Sequence, residues 1–322
     1  MNEIQEDKLS NALLSVAIGD AIGVPYEFKS AQEMKSKPAK DMIGYGVHNQ
    51  PMGTWSDDGA LTFCLAESLT KGYDLLDIAK NFVLWKTQAY WSARNEVFDI
   101  GMTTSRSISR LEELLQSNDL EGLKLLKYDA QESDNGNGSL MRILPLLYLI
   151  KGWDIEKQFE VIWEVSALTH RHIRAAMACF IYLKYAELLL DGVERNDAYK
   201  SLQNEVKRLW NQLNFSQQEA KLFDRLIHND ISQLSQNEIH SGGYVLQSLE
   251  ASFWSFLTTN SFEEAILKAV NLGHDTDTTG AITGGLAGIF YSRSDIPEFW
   301  LASLARLEDI LTLAESLAKK YC

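Results

Sequence analysis

Two short segments combine carboxylates and hydroxyls at the start of apolar helical patterns. Gly53-Thr54-Trp55-Ser56-Asp57-Asp58-Gly59 runs into the stripe Leu61, Cys64, Leu65 and Leu69, and Gly273-His274-Asp275-Thr276-Asp277-Thr278-Thr279 precedes a second apolar helical run. Such residues have an ordinary use at a helix start, where Ser and Asp accept hydrogen bonds from free N–H groups and suit the positive end of the dipole. They have another use if the segments meet. Four carboxylates with the hydroxyls of Ser56 and Thr278 are the hard oxygen donors that Mg²⁺ takes. If Asp57, Asp58, Asp275 and Asp277 converged without a cation they would repel strongly, so a shared site requires bound metal.

Further candidates lie between these clusters, each with a plainer alternative. Gly136-Asn137-Gly138 is a turn signal before the apolar run Leu140 to Leu149; it is either a helix-entry loop or a place where backbone N–H groups approach a diphosphate. His170 closes a helix ahead of His172, and bundle histidines are commonly structural. Asp99 reads as a helix-start cap, Tyr244 as a core aromatic, Trp55 as packing and Glu27 as a surface carboxylate after a Gly/Pro turn.

The elements that must position these residues read as helices. Only five prolines occur in 322 residues, apolar positions recur at i, i+3 and i+4, and no stretch alternates strictly. The pattern predicts helices near 6–20, 58–71, 74–92, 99–116, 138–150, 155–170, 172–191, 194–211, 243–258, 261–270, 277–292 and 298–319. Gly280, Gly284 and Gly288 share one face of the helix at 277–292, each at a cost of about 1 kcal/mol relative to alanine. That expense predicts close approach of another helix backbone and a central place for this helix. No linker or low-complexity run divides the chain, which predicts a single domain over 1–322.

Acidic residues outnumber basic ones 44 to 30, a formal charge of −14 that disfavours nucleic acid and anionic membrane surfaces as partners. An anionic substrate would need local positive charge, which a metal pair would supply. The acidic N-terminal stretch lacks the layout of a secretory signal and no apolar run approaches the ~20 residues of a membrane span, so a cytoplasmic location is expected; a monomer is expected as well. Cys64, Cys179 and Cys322 are an odd, scattered set and read as reduced thiols.

These motifs, in this order, resemble the ADP-ribosylglycohydrolase family. The likeness runs from Gly19-Asp20-Ala21-Ile22-Gly23-Val24-Pro25-Tyr26-Glu27 through Thr54 to Asp58, Phe98-Asp99-Ile100-Gly101, Gly136-Asn137-Gly138-Ser139-Leu140-Met141-Arg142, Leu168-Thr169-His170, Gly242-Gly243-Tyr244 and Asp275 to Thr278, ending at Gly284-Gly285-Leu286-Ala287-Gly288. The resemblance implies an all-α, compact orthogonal helical bundle with a central dinuclear metal cleft.

It also implies an enzyme that removes ADP-ribose from a protein arginine by cleaving the N-glycosidic bond, with two Mg²⁺, or Mn²⁺ in their place, on Ser56, Asp57, Asp58, Asp275, Asp277 and Thr278. Glu27 would be a ligand or water-activating base, and Asp99 would face the ribose and leaving group. Gly136, Asn137, Gly138, Ser139, Met141, His170 and Tyr244 would contact ADP-ribose. Developing positive charge on the sugar suits such a carboxylate-lined site. The same site could act on ADP-ribosyl-serine or O-acyl-ADP-ribose, and a non-catalytic ADP-ribose-binding or structural relative is the alternative from another class. Two positions depart from the usual pattern: Gly59 stands where threonine is common, and His274 where a small residue is common. The first bears on the rigidity of the ligand turn; the second either reaches the metal site or caps its loop.

Overall fold

The computed structural model describes residues 3–322. The helices are α1 (Glu3–Gly23), α2 (Ala31–Ser36), α3 (Asp57–Lys71), α4 (Leu75–Gln88), α5 (Met102–Gln116), α6 (Leu120–Leu125), α7 (Leu146–Ile150), α8 (Ile155–Ala167), α9 (Ile173–Leu190), α10 (Arg195–Gln212), α11 (Gln217–Lys221), α12 (Asp224–Ile227), α13 (Val245–Leu257), α14 (Phe262–Val270), α15 (Thr276–Phe290), α16 (Glu298–Ser303) and α17 (Leu307–Tyr321). Among the described residues there is no strand, only the isolated antiparallel bridges Tyr45–Gln50 and Gly136–Tyr244. The fold is all-α, as expected.

The glycine-faced helix does meet another backbone. α15 lies antiparallel against α1, and a Cβ placed at Gly280 would sit 2.4 Å from the Gly19 carbonyl oxygen, at Gly284 2.1 Å from that of Ser15, and at Gly288 2.5 Å from that of Asn11. Around this pair pack α3 and α17 on the α1 side and α13, α14 and α9 on the α15 side. α1 thus belongs to the centre of the bundle. It corrects one expectation, because Ile4–Tyr26 is long and apolar enough to cross a membrane by length and composition; here 94% of its 18-residue apolar stretch is buried inside the protein. Its apolar character serves the core.

At Gly284, alanine's better helix propensity would return about 1 kcal/mol. The added methyl meets a carbonyl oxygen that cannot turn aside, and overpacking of this kind costs about 1–3 kcal/mol or more. Gly284→Ala is therefore expected to lower the melting temperature; a melting temperature equal to the parent's would show the helices free to separate.

Three helix readings are corrected. The run predicted at 138–150 is helical only from Leu146, because Pro145 has no N–H and the preceding residues form i to i+3 turns such as Ile143 N–H to Leu140 O. The run predicted at 298–319 breaks at Leu304–Arg306, where Arg306 has φ +50° and the Ala305 N–H donates to Gly53 O. That break docks the C-terminal segment on the turn leading to Ser56. Asp99 is no helix cap: it has φ +50°, and α5 starts at Met102 behind Gly101, whose lack of a side chain leaves that helix end uncapped.

Candidate active site

The α1–α15 contact sets the floor of the site. Gly23 abuts the Asp277 backbone, where a Cβ would be 2.3 Å from the Asp277 N and Cα, and the Thr276 hydroxyl donates to Gly23 O at 2.8 Å. Asp277, at the start of α15, is thereby brought against the end of α1. α3 starts beside it. The carboxylate of Asp20, on α1, accepts from the Ser56 N–H at 2.9 Å and the Gly59 N–H at 2.8 Å, clamping the first turn of α3. The Trp55 side chain packs on Gly59, where a Cβ would sit 2.7 Å from its ring. The departure at Gly59 therefore leaves the turn packed tightly.

Asp20, Asp58 and Asp277 offer oxygens all within 4.8 Å of one another, as do Glu27, Asp275 and Asp277. The two motifs, separated by more than 200 residues, therefore meet. Ser56 and Thr278 point their hydroxyls at Asp58 Oδ2, at 3.1 and 3.4 Å. Asp58 and Asp277 are each 1% exposed, and Asp58 Oδ1 and Asp277 Oδ2 are buried with no hydrogen-bond partner. A buried, unpartnered carboxylate oxygen is costly unless a proton or cation meets it. Burial first, then the neighbouring carboxylates, raise the pKa values of Asp57, Asp58 and Asp277 well above the ordinary range; burial pushes Asp20 up to about 7. These donors fit divalent cations.

Above this floor opens a cleft of about 370 Å³. Glu27, Asp57, Asp99 and Asp275 line it together with the first turn of α5, the turn at Gly136–Gly138, Met141, His170, Gly243 and Thr278. Its lining holds neither lysine nor arginine. A larger cavity of about 670 Å³, lined by Lys35, His240 and His274 among others, has no carboxylate in its wall and none of the metal candidates. His274 is exposed and faces that cavity, with φ +59° imposed by the exchange of its N–H and C=O with the backbone of Lys29 and Phe28. It belongs to the loop rather than to the acidic floor.

One wall forms where two turns pair. The Asn137 N–H donates to Gly243 O and the Val245 N–H to Asn135 O, joining the Gly136 turn to the start of α13. Asn137 spends its side-chain amide on Asp275 and Ser248, both at 2.8 Å, so the backbone is what this turn offers a ligand. The His170 ring packs under the turn: Cβ atoms at Gly136 and Gly138 would lie 2.9 and 2.6 Å from it. Burial, then Arg142, lowers its pKa to about 3, so it is a neutral imidazole with Nδ1 against the Thr169 hydroxyl at 2.9 Å.

Two of the expected ligand contacts lie outside this cleft. Ser139 is fully buried, its hydroxyl bonded to Ser166, and Tyr244 sits in an adjoining recess with Glu132 and Arg174, where its hydroxyl accepts from Arg174 at 3.2 Å. His172 caps α9 by accepting from the Arg174 N–H.

Sequence reasoning missed three parts. Asp20 is the one charged residue in the second half of α1, among Ala17, Ile18, Ala21 and Ile22, which is a signal the sequence carries. His48 touches Glu27 and lies 4.0 Å from Asp99, on a short loop with no helical or motif signature. The first turn of α5, with Thr103 and Thr104, lines the cleft but falls inside the helix that apolar spacing predicts from residue 99.

An all-helical fold carrying a carboxylate-lined cleft whose acidic clusters could hold cations has the features of an enzyme site for a polar substrate. The ADP-ribosylglycohydrolase profile matches residues 1–322, and the chain belongs to that family. It is 30% identical to ADP-ribosylarginine hydrolase Tri1 of Serratia proteamaculans (strain 568), over 97% of this chain and 79% of that protein. It is 28% identical to the ADP-ribosyl-[dinitrogen reductase] glycohydrolase of Rhodospirillum rubrum, over 92% of this chain and 90% of that one. A solved structure described as an ADP-ribosylglycohydrolase-related protein complex superposes with a TM-score of 0.77 at 26% identity, covering 99% of this chain and 100% of its own. The protein is a hydrolase acting on glycosidic bonds, with ADP-ribosyl groups as its kind of substrate.

Proposed function

We propose that the protein cleaves the N-glycosidic bond between ADP-ribose and a protein arginine, with two Mg²⁺ held by Ser56, Asp57, Asp58, Asp275, Asp277 and Thr278. The observation that carries this reading is the cleft itself: four lining carboxylates, no lysine or arginine, and the unpartnered oxygens of Asp58 and Asp277 beneath. A diphosphate finds no cationic side chain in this lining and needs added positive charge. Divalent cations, when bound, would neutralise the floor and polarise ribose hydroxyls and water.

The chain's own groups do the rest. Turn N–H groups at Gly136–Gly138 and the uncapped first turn of α5 favour the diphosphate. The neutral His170 adds a hydrogen-bonding group without competing charge. Glu27 keeps its proton up to about pH 10 in the bare site, because of burial first and then Asp99; positive charge in the cleft frees it to act as base. Asp99 stands across His48 from Glu27 and is placed to meet the leaving guanidine. Carboxylates around the anomeric carbon then stabilise the cationic sugar in the transition state.

The arginine linkage draws its support from relatives that bear that activity in their names. Release of free ADP-ribose should be measured with Mg²⁺ from an arginine-linked protein conjugate and from a serine-linked one. Release from the arginine conjugate alone is the expected result; release from the serine conjugate alone would move the reading to an O-glycosidic substrate.

A further inference from the structure

At the mouth of the cleft the surface changes character. Phe28 is 68% exposed, Tyr45 62% and Val47 44%. They ride on two segments locked together, for Gly46 backs onto Pro25, where a Cβ would be 2.3 Å from the Pro25 oxygen, and Glu27 meets His48. The His48 ring stands between Phe28 and Phe98, 5.9 and 5.4 Å away between centroids. Three rings therefore run along the lip, beside the carboxylates of Glu27 and Asp99.

Exposure alone means little, since single apolar side chains are normal on surfaces. Backbone strain sets Phe28 and Tyr45 apart. Phe28 holds φ +63°, Tyr45 φ +69° and Asp99, next to Phe98, φ +50°, a region that bulky L-residues avoid. Phe28 is pinned there by its N–H, which donates to His274 O at 2.7 Å, on the loop leading straight to Asp275. A strained backbone that keeps a phenyl ring in water does nothing for the core. Strain of this kind gathers at sites that clamp a ligand.

Ring faces beside carboxylates suit one leaving group above others. A guanidinium is planar and weakly hydrated; it stacks on aromatic faces while its N–H fork reaches carboxylates. A serine oxygen or an acyl group brings neither the cation nor the long apolar stem. Resting on the ADP-ribosylhydrolase reading above, we propose that Phe28, His48 and Phe98 form the subsite for the modified arginine of the target protein and set the preference for that linkage. Phe28 covers the guanidinium and stem, and Glu27 and Asp99 face its N–H groups.

Phe28→Ala tests this, since an exposed ring can be removed without opening the core. Its kcat/KM should be compared with that of the unaltered protein on the arginine-linked conjugate, and its affinity for free ADP-ribose, in Mg²⁺, measured by calorimetry. Loss of a partly desolvated cation–π contact predicts a fall of about tenfold in kcat/KM, carried by KM. ADP-ribose affinity should be unchanged, and Phe28→Tyr should restore turnover. If the unaltered protein cleaves the arginine conjugate and Phe28→Ala does so within about twofold, the subsite is wrong while the function stands. An equal loss in free ADP-ribose affinity would also overturn it, by assigning the ring to the nucleotide. If the unaltered protein leaves the arginine conjugate intact, the functional reading itself fails.

Discussion

Asp57→Ala and Asp277→Ala should each abolish release of ADP-ribose while leaving helical content intact. Changes one shell out from a metal already cost about 10–100-fold, and removal of a ligand should cost more. Asp277 is the more telling of the two. Its Oδ2 has no partner in the protein, so alanine takes away no hydrogen bond at that atom, only the place where a cation would sit. Chelation should silence the unaltered enzyme, Mg²⁺ or Mn²⁺ should restore it, and Zn²⁺ should serve poorly among oxygen donors. Near-normal turnover of both variants in saturating Mg²⁺ would remove these residues from the ligand set.

The second large effect is on stability and needs no substrate. Mg²⁺ at 100 times its dissociation constant should stabilise the native state by about 2.7 kcal/mol, and free ADP-ribose should add to that. The increment should grow with pH. A carboxyl whose folded pKa lies above its unfolded one binds more protons when folded, so its contribution is complete below the unfolded value and is lost as pH rises through the folded one. Asp20, raised to about 7, and Asp57, Asp58 and Asp277, raised by burial and by one another, all lie on that side. The metal-free protein should therefore melt at lower temperature as pH rises from about 5 to about 8, and saturating Mg²⁺ should flatten that slope. Asp277→Ala should weaken the Mg²⁺ response. A melting temperature indifferent to Mg²⁺ across this range would return the two Asp clusters to the status of helix caps.

What the sequence disclosed depended on range. The glycine repeat at 280, 284 and 288 announced a backbone contact because glycine's cost within a helix needs compensation, yet it could not name α1 as the partner. Local chemistry of the Asp clusters was equally plain, and their meeting was not, since nothing local encodes a contact across more than 200 residues. Helix limits failed where tertiary contacts override periodicity, as at Ala305, whose N–H is held by Gly53, and at Asp99, in a backbone region that apolar spacing does not report. His48 escaped because a lone histidine on a short loop has no pattern; only folding brings it to Glu27. Ser139 misled in the opposite sense: it lies in a motif that lines the cleft, with its own side chain turned into the core.

The pairing of α1 with α15 also has a consequence in time. Residue 23 touches residue 277, so α1 meets its principal partner, α15, only after some 250 further residues have been made. At about 5–20 residues per second, that is a wait on the order of 10–50 s. During it the nascent chain carries a helix that meets the length and apolarity of a membrane span, and Asp20 can clamp the first turn of α3 but lacks Asp277, the late member of its acidic cluster. The cleft thus comes into being only when the last quarter of the protein is made.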